Sequence, residues 1–198
     1  MVHKLNLPSQ VTVYPSGYHE KEAVGFWLPH KGIHKIAVPQ IRQTYVKTES
    51  SDPTLTAAHE IGHDIWEQLT PEEKDEFIFA LESWQKRELP QLLGKRSRTL
   101  QFPSEQAREK KVKEDYEYYA MPTEAFARMT AYATNNFKLP KRESEEAFNV
   151  WKKIMRKRDG NFLKRIKSAG GKVESFIVKH GGLKSEKLRE GTVSLKGI

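Results

Sequence analysis

Residues Thr54 to Trp66 read TLTAAHEIGHDIW, and this segment has the pattern of one amphipathic helix. His59 and His63 are four residues apart, so they lie on the same face of that helix, one turn from each other. Glu60 directly follows His59. The spacing therefore lets two imidazoles converge on one cation with a carboxylate beside it.

This His-Glu-x-x-His arrangement is typical of zinc hydrolases. Neutral imidazole suits zinc, and a third protein ligand from elsewhere leaves the fourth position to water. Zinc lowers the pKa of that water to about 7, and a carboxylate can then take its proton and pass it to a leaving amine. We therefore expect Zn2+ bound by His59 and His63, with Glu60 as the catalytic base.

The residues around the motif indicate a helix with one buried side. Asp52 supplies an N-cap and Pro53 a first helical residue. The apolar side consists of Leu55, Ala58, Gly62, Ile65, Trp66 and Leu69. Gly62 inside a helix costs about 1 kcal/mol relative to Ala, which indicates a packing reason. The alternative is an exposed helix on which the two histidines and the glutamate are merely solvated.

The eight residues TAAHEIGH, from Thr56 to His63, resemble the active-site helix of the zincin metallopeptidases. In that superfamily the two histidines bind zinc and the glutamate acts as general base and acid. The resemblance implies these roles for His59, His63 and Glu60, and a polypeptide as substrate. It is specific over the motif helix and weak elsewhere, so it names no particular substrate.

Glu124 is the candidate for the third zinc ligand. It stands among small and apolar residues in PTEAFA, from Pro122 to Ala127, where a buried carboxylate is costly without a compensating cation. In the gluzincin branch of the zincins, a glutamate on a second helix is the third ligand. The alternative is that Pro122 begins a helix and Glu124 merely complements its dipole. Weaker candidates are Asp75, Asp115 and Glu117.

Two features depart from the thermolysin-like gluzincins. Those enzymes have an Asp four residues after the ligand Glu, which orients the first His, whereas this chain has Arg128 there. We therefore expect Asp64 or a backbone carbonyl to hold an imidazole instead. The interval between His63 and Glu124 is also long. It is more similar to compact bacterial and phage metallopeptidases and to lethal-factor-type toxin domains.

Tyrosines near Glu124 are candidates for stabilising the oxyanion of a tetrahedral intermediate. Lethal-factor-like enzymes use a tyrosine upstream of the ligand glutamate. The resemblance therefore favours Tyr118 and Tyr119 over Tyr132, which follows Glu124. Each of the three could equally be a core or rim residue.

The N-terminal part predicts a small antiparallel sheet of three strands, at residues 11–14, 24–28 and 34–38. Zincins place such a sheet before the active helix, and its edge strand pairs with an extended substrate. The resemblance implies that the strand from His34 to Val38, or a neighbouring strand, pairs with the substrate. The alternative is a hairpin that only covers the helix. The fold class expected is α+β, mainly helical, with C-terminal helices.

Helix signals continue along the chain. Thr70, Pro71 and Glu73 form a capping-box pattern, and Ser104 is placed to cap another helix. Pro90 is expected to end the helix before it, Gly94 to Arg98 to form a basic loop, and Gly170 and Gly171 to interrupt the last helix. The apolar residues of the helices after Pro140 are Ala147, Phe148, Trp151, Ile154, Met155, Phe162, Leu163 and Ile166.

Charge divides the chain unevenly. The whole chain carries a formal net charge of +8, and residues 138–198 hold 17 Lys and Arg against 7 Asp and Glu. We expect a metallopeptidase core at residues 1–137 and a basic helical region at residues 138–198, either as an appendage or within the same domain. This basic region is a candidate for binding nucleic acid or an acidic partner, and the alternative is a solvated surface.

Composition limits the remaining possibilities. The chain has no cysteine, which excludes disulfides and a thiolate zinc site and fits a reducing compartment. The first residues lack the apolar run of a signal peptide, and no segment has the length and apolarity of a membrane span. We therefore expect a cytoplasmic zinc metallopeptidase that does not enter a membrane. The alternative function is a zincin-scaffold binding protein that docks a partner through its basic region.

Overall fold

The computed structural model describes residues 5–7, 10–15, 26–27, 33–38, 53–134, 139–140, 143–179 and 191–198. In chain order the elements are β1 (Gln10–Pro15), β2 (Phe26–Trp27), β3 (Ile33–Val38), α1 (Pro53–Glu67), α2 (Pro71–Arg87), α3 (Leu89–Thr99), α4 (Glu105–Ala120), α5 (Pro122–Thr134), α6 (Glu145–Arg158), α7 (Phe162–Lys179) and β4 (Gly191–Ser194). The fold is therefore α+β and mainly helical, as the sequence predicts.

The sheet is mixed rather than wholly antiparallel. Its strand order is β2-β3-β1-β4, and β2 pairs with β3 and β4 with β1 in antiparallel fashion, whereas β1 and β3 are parallel. Within the described sheet β3 is an interior strand, and its neighbour β2 lies at the edge. Both β2 and β3 lie against α1, so the sheet covers the helix that carries the histidine motif.

Helix α1 is central because it is buried on more than one side. Ala57, Ala58, Ile61 and Ile65 are each at most 1% exposed. The helix packs most extensively against α5 and then against α7. Gly62 allows the close crossing with α5, because a Cβ there would lie 2.6 Å from the Ala127 Cα. The packing reason that the sequence indicates for this glycine is thus confirmed.

Local capping signals are confirmed at several helices. The Thr70 side chain accepts a hydrogen bond from the Glu73 N–H, and the Glu73 carboxylate accepts one from the Thr70 N–H. Ser104 caps α4 through the Ala107 N–H. The residue Asp52, expected to cap α1, lies outside the described residues.

Two interruptions predicted from glycine are wrong. Gly94 to Arg98 belong to α3 and not to a loop. Helix α2 does end before Pro90, at Arg87, and Pro90 lies in the first turn of α3. Gly170 and Gly171 lie within α7. A Cβ at Gly170 would come within 2.5 Å of the Thr54 Cγ2, so this glycine serves the contact between α7 and α1.

The C-terminal residues contact the N-terminal ones at several points. Helix α7 packs on α1, β4 pairs with β1, and the Arg165 guanidinium donates a hydrogen bond to the Leu5 carbonyl at 3.1 Å. The core includes large apolar side chains from both ends of the chain, among them Leu5, Phe126, Trp151 and Ile166. Within the described residues, no helix combines the length and the hydropathy needed to cross a bilayer.

Candidate metal centre

Helix α1 brings the two motif histidines together. The ring centroids of His59 and His63 are 5.0 Å apart and the rings are nearly perpendicular, at 86°. Their side chains are 20% and 13% exposed. The helix thus holds two imidazoles side by side at a partly open surface, as the four-residue spacing predicts.

Helix α5 brings Glu124 to the same point. Pro122 begins this helix, so Glu124 lies in its first turn. The Glu124 Oε2 atom lies 3.3 Å from the His59 Nε2, and the Oε1 atom lies 3.4 Å from the His63 Nε2. Among the described residues, these three side chains form a group whose donor atoms all lie within 4.8 Å of one another and could hold a metal ion.

Ligands of a common ion would have separations of this size. Two ligands at about 2.1 Å from a tetrahedral zinc ion are about 3.4 Å apart. A hydrogen bond between a charged imidazole and a carboxylate is shorter, at about 2.7–2.9 Å. The Glu124 Oε2 is buried and accepts no hydrogen bond from any described residue. A buried carboxylate oxygen without a donor is costly, so this atom fits a bound cation.

The protonation states also suit metal binding. Burial lowers the pKa of His59, and the neighbouring Glu124 offsets this only in part. The lowered pKa favours the neutral imidazole that a metal requires. Burial alone would raise the pKa of Glu124, but interactions with the His59 and His63 imidazoles outweigh it and lower the pKa below its ordinary value. Glu124 is therefore an ionised carboxylate at neutral pH.

Glu60 lies in the interior beside this group. Its side chain is on α1, the residue is 3% exposed, and its Oε2 has no hydrogen-bond partner among the described residues. Burial, and then repulsion from the Glu124 carboxylate, raise the pKa of Glu60 well above its ordinary value. A cation at the site would oppose this shift, since a nearby opposite charge favours the ionised form. Such a carboxyl group has the proton affinity that a general base needs.

The three candidate tyrosines occupy different surroundings. Tyr118 is 42% exposed, and partial burial together with the charge of Glu124 raises the pKa of its hydroxyl. The Tyr119 hydroxyl accepts a hydrogen bond from Arg96 of α3 at 3.3 Å. The Tyr132 hydroxyl is buried and donates to Glu143 at 3.5 Å. The other two hydroxyls are thus held by Arg96 and Glu143, whereas the Tyr118 hydroxyl experiences the charge of Glu124.

The remaining acidic candidates belong to other contacts. Asp75 is exposed on α2, the Asp115 carboxylate lies 3.0 Å from the Lys111 ammonium, and Glu117 lies 4.0 Å from Lys113. Asp64 accepts a hydrogen bond from Gln68 at 2.8 Å, and its expected role in supporting an imidazole stays a prediction. Among the described residues, only Glu124 joins the two histidines in a metal-binding group.

One polar pair near the site has no counterpart in the sequence-based prediction. Arg128, which stands where an Asp occurs in thermolysin-like enzymes, is buried and forms an ion pair with Glu143 at 2.9 Å. An arginine on the apolar face of a helix signals a buried acidic partner. The sequence could have raised that expectation, but it could not have selected Glu143.

The basic residues after position 138 divide into two groups. Three are paired within the fold: Arg158 with Glu73, Arg165 with Asp159, and Lys153 with Glu76. Exposed lysines remain on the outer face of α7, at Lys164, Lys167, Lys172 and Lys179. Arg156 and Lys157 of α6, and Lys196 after β4, are also exposed. His180 and the residues to 190 lie outside the described residues.

Comparison with known proteins identifies no relative. No model of a known protein family matches the chain, and no curated protein or solved structure is significantly similar to it. The chemistry of the site therefore has to be inferred from its own geometry.

Proposed function

We propose that this protein is a zinc-dependent metallopeptidase. The observation that carries the proposal is the convergence of His59, His63 and Glu124 in a group that could hold a metal ion, with the buried Glu60 beside them. Three protein ligands leave one coordination position for water or substrate, as in catalytic zinc sites. A purely structural zinc site is closed by four protein ligands and needs no neighbouring base.

The donor set also suits other metals, above all iron. Two histidines and one carboxylate on one face of an octahedron are typical of non-haem iron oxygenases. Octahedral neighbours at about 2.1 Å from the ion lie about 3.0 Å apart, whereas tetrahedral ones lie about 3.4 Å apart. The separations of 3.3 and 3.4 Å join the two imidazoles to different oxygens of Glu124 and do not select a geometry. The basic carboxylate of Glu60 favours hydrolysis over oxygen chemistry, and hydrolysis is a typical reaction of zinc sites.

Each residue then has a definite task. The imidazoles of His59 and His63 and the carboxylate of Glu124 would hold the zinc ion. A zinc ion there would supply Lewis acidity for the substrate carbonyl and for water. Glu60 accepts the proton of the attacking water and donates it to the leaving amine. The protonated hydroxyl of Tyr118 donates a hydrogen bond to the developing oxyanion.

A polypeptide substrate is supported by the sheet beside α1. Strand β2 lies at the edge of the described sheet and contacts the motif helix. An extended peptide can add to such an edge through main-chain hydrogen bonds, which do not depend on its sequence. Strand addition would place a peptide beside the helix that carries the two histidines.

The decisive experiment compares the wild type with Glu60→Gln. Zinc-loaded wild type should cleave an unfolded protein such as casein, and Glu60→Gln should bind the same amount of zinc while losing at least about 100-fold in kcat/KM, the low end for a general base. The matched control is Glu67→Gln, which changes an exposed glutamate on the same helix. Full activity in Glu60→Gln would remove Glu60 from the mechanism.

The exposed lysines of α7 favour a second candidate function, binding of nucleic acid or an acidic partner. Replacing Lys164, Lys167, Lys172 and Lys179 by Gln should then weaken DNA binding and reduce its salt dependence. The absence of DNA binding by the wild type at low salt would count against this candidate, without affecting the peptidase proposal.

A further inference from the structure

The buried Arg128 connects three parts of the chain near the candidate metal centre. It lies on α5, one turn after Glu124, and is 5% exposed. Its Nε and Nη2 atoms donate to the Glu143 carboxylate at 2.9 and 3.3 Å. Its Nη1 donates to the Tyr118 carbonyl at 3.4 Å, and its Nη2 to the Tyr119 carbonyl at 3.2 Å.

The end of α4 needs these donors. The helical partner of the Tyr118 carbonyl would be the N–H of residue 122, but that residue is Pro122 and has none. The chain leaves the helix at Met121, which is extended. The guanidinium of Arg128 supplies hydrogen bonds that the backbone cannot, and the Gln85 side chain does the same for the Ala120 carbonyl.

The same guanidinium also fixes the tyrosine rings. Its Cζ lies 5.1 Å from the centre of the Tyr118 ring and 4.6 Å from that of Tyr119. Glu143 neutralises the buried charge and is itself fully buried as a side chain. Arg128 thus holds both the backbone and the ring of Tyr118, and it does so from the helix that carries Glu124.

We propose that Arg128 and Glu143 are positioning residues that hold the Tyr118 side chain against α5, the helix that carries Glu124, so that its hydroxyl can serve the reaction. The catalytic value of this arrangement depends on the proposed function, whereas the geometric arrangement does not. Arg128 acts through Tyr118 and touches neither metal nor substrate. The planar guanidinium of Arg128 donates several hydrogen bonds, whereas lysine has a single nitrogen. We therefore expect that lysine cannot replace Arg128.

The test uses the full-length, metal-free chain labelled with 3-fluorotyrosine, with the Tyr118 resonance assigned by its loss in Tyr118→Phe. Because Arg128 holds Tyr118 against the helix that carries Glu124, Glu124→Gln should shift this fluorine resonance when Arg128 is present. In an Arg128→Lys background, the shift caused by Glu124→Gln should fall to less than half. The same shift in both backgrounds would overturn the proposal.

A second variant and a control guard against general loss of structure. Arg128→Met combined with Glu143→Gln removes the ion pair without leaving a buried charge, and it should give the same reduced shift. Arg158→Lys changes another buried ion pair, that of Arg158 with Glu73, far along the chain from the site. It should leave the shift unchanged. Unfolding of both Arg128 variants would assign the pair to general stability and overturn the positioning role.

Kinetics of the zinc-loaded protein test the catalytic consequence separately. Arg128→Lys should lower kcat more than it changes KM, and it should cause less than a twofold further loss in a Tyr118→Phe background. Independent, multiplicative losses would contradict action through Tyr118. If the wild type cleaves nothing, the proposed function fails, while the fluorine measurement still decides whether Arg128 positions Tyr118.

Discussion

The crossing of α1 and α5 at Gly62 offers a sharp test of how the site is built. Gly62 lies on α1, the helix of the two motif histidines, where it crosses α5, the helix that carries Glu124. Replacing it by Ala adds one methyl group whose carbon would lie 2.6 Å from the Ala127 Cα and 3.1 Å from the Thr130 Cβ and Oγ1. The nearest of these atoms is backbone, so no side-chain rotation can relieve the contact.

The size of the effect follows from that distance. An ordinary contact begins at 3.4 Å, so the helices must separate locally by about 0.8 Å, the difference from 2.6 Å. Metal ligands tolerate displacements of only about 0.2 Å. Overpacking costs about 1–3 kcal/mol, whereas Ala in place of Gly in a helix gains about 1 kcal/mol. We expect a net destabilisation of up to about 2 kcal/mol and weaker zinc binding.

The assay measures the free energy of unfolding by denaturant and the zinc affinity by competition with a chelator. Gly171→Ala is the matched control, because Gly171 lies in a helix and a Cβ there meets nothing within 4 Å. This control should gain about 0.5–1 kcal/mol and bind zinc normally. A Gly62→Ala protein that is more stable than wild type and binds zinc equally well would refute the close crossing.

Further predictions concern catalysis, pH and metal. Tyr118→Phe should lower kcat by about 100-fold or more. Tyr119→Phe should not, because the Tyr119 hydroxyl is held by α3. Equal losses in kcat would contradict the assignment of Tyr118 as the oxyanion donor. Burial would raise the pKa of Glu73, but hydrogen bonds from Arg158 and the Thr70 N–H lower it below its ordinary value of 4.5. Stability from this carboxylate is therefore present above pH 4.5 and lost as the pH falls toward the lower folded-state pKa. The difference in unfolding free energy between wild type and Glu73→Gln should shrink in acid, and a constant difference would contradict this. Zinc at about 100 times its Kd should stabilise the wild type by about 2.7 kcal/mol, and it should not stabilise His63→Ala. Thermal unfolding with and without zinc measures this difference. Equal stabilisation of both proteins would exclude His63 as a ligand.

Features encoded locally were predictable from the sequence. The capping box at Thr70 and the cap at Ser104 depend on residues within one helical turn, and both form as expected. The spacing of His59 and His63 also fixes their shared face without any tertiary information.

Features that depend on distant contacts were not predictable in the same way. Gly170 continues α7 because the helix crosses Thr54 closely, although glycine by itself predicted a break. The parallel pairing of β1 with β3, and the addition of β4, join segments whose partners the local pattern does not specify. The proposed separation of Tyr118 from Tyr119 depends on how α4 ends against α3 and α5, which periodicity does not reveal.

Glu124, the proposed third ligand, was predictable only in part. An acidic residue among apolar neighbours signalled Glu124, but only the crossing of α1 and α5 brings its carboxylate to both imidazoles. Arg128 illustrates the limit more clearly. The sequence showed only that Arg128 stands where thermolysin-like enzymes have an Asp. Its contacts with the end of α4 and with Glu143 appear only in the folded chain.

The most direct test is the zinc content of purified wild type and Glu124→Ala, measured by elemental analysis after equilibration with a weak chelator. Glu67→Ala, which removes an exposed carboxylate from the motif helix, is the control. We predict about one zinc ion per chain in the wild type and control, as for a single catalytic site, and a large loss in Glu124→Ala. A wild type without zinc, or a Glu124→Ala variant that retains it fully, would contradict the proposed metal centre.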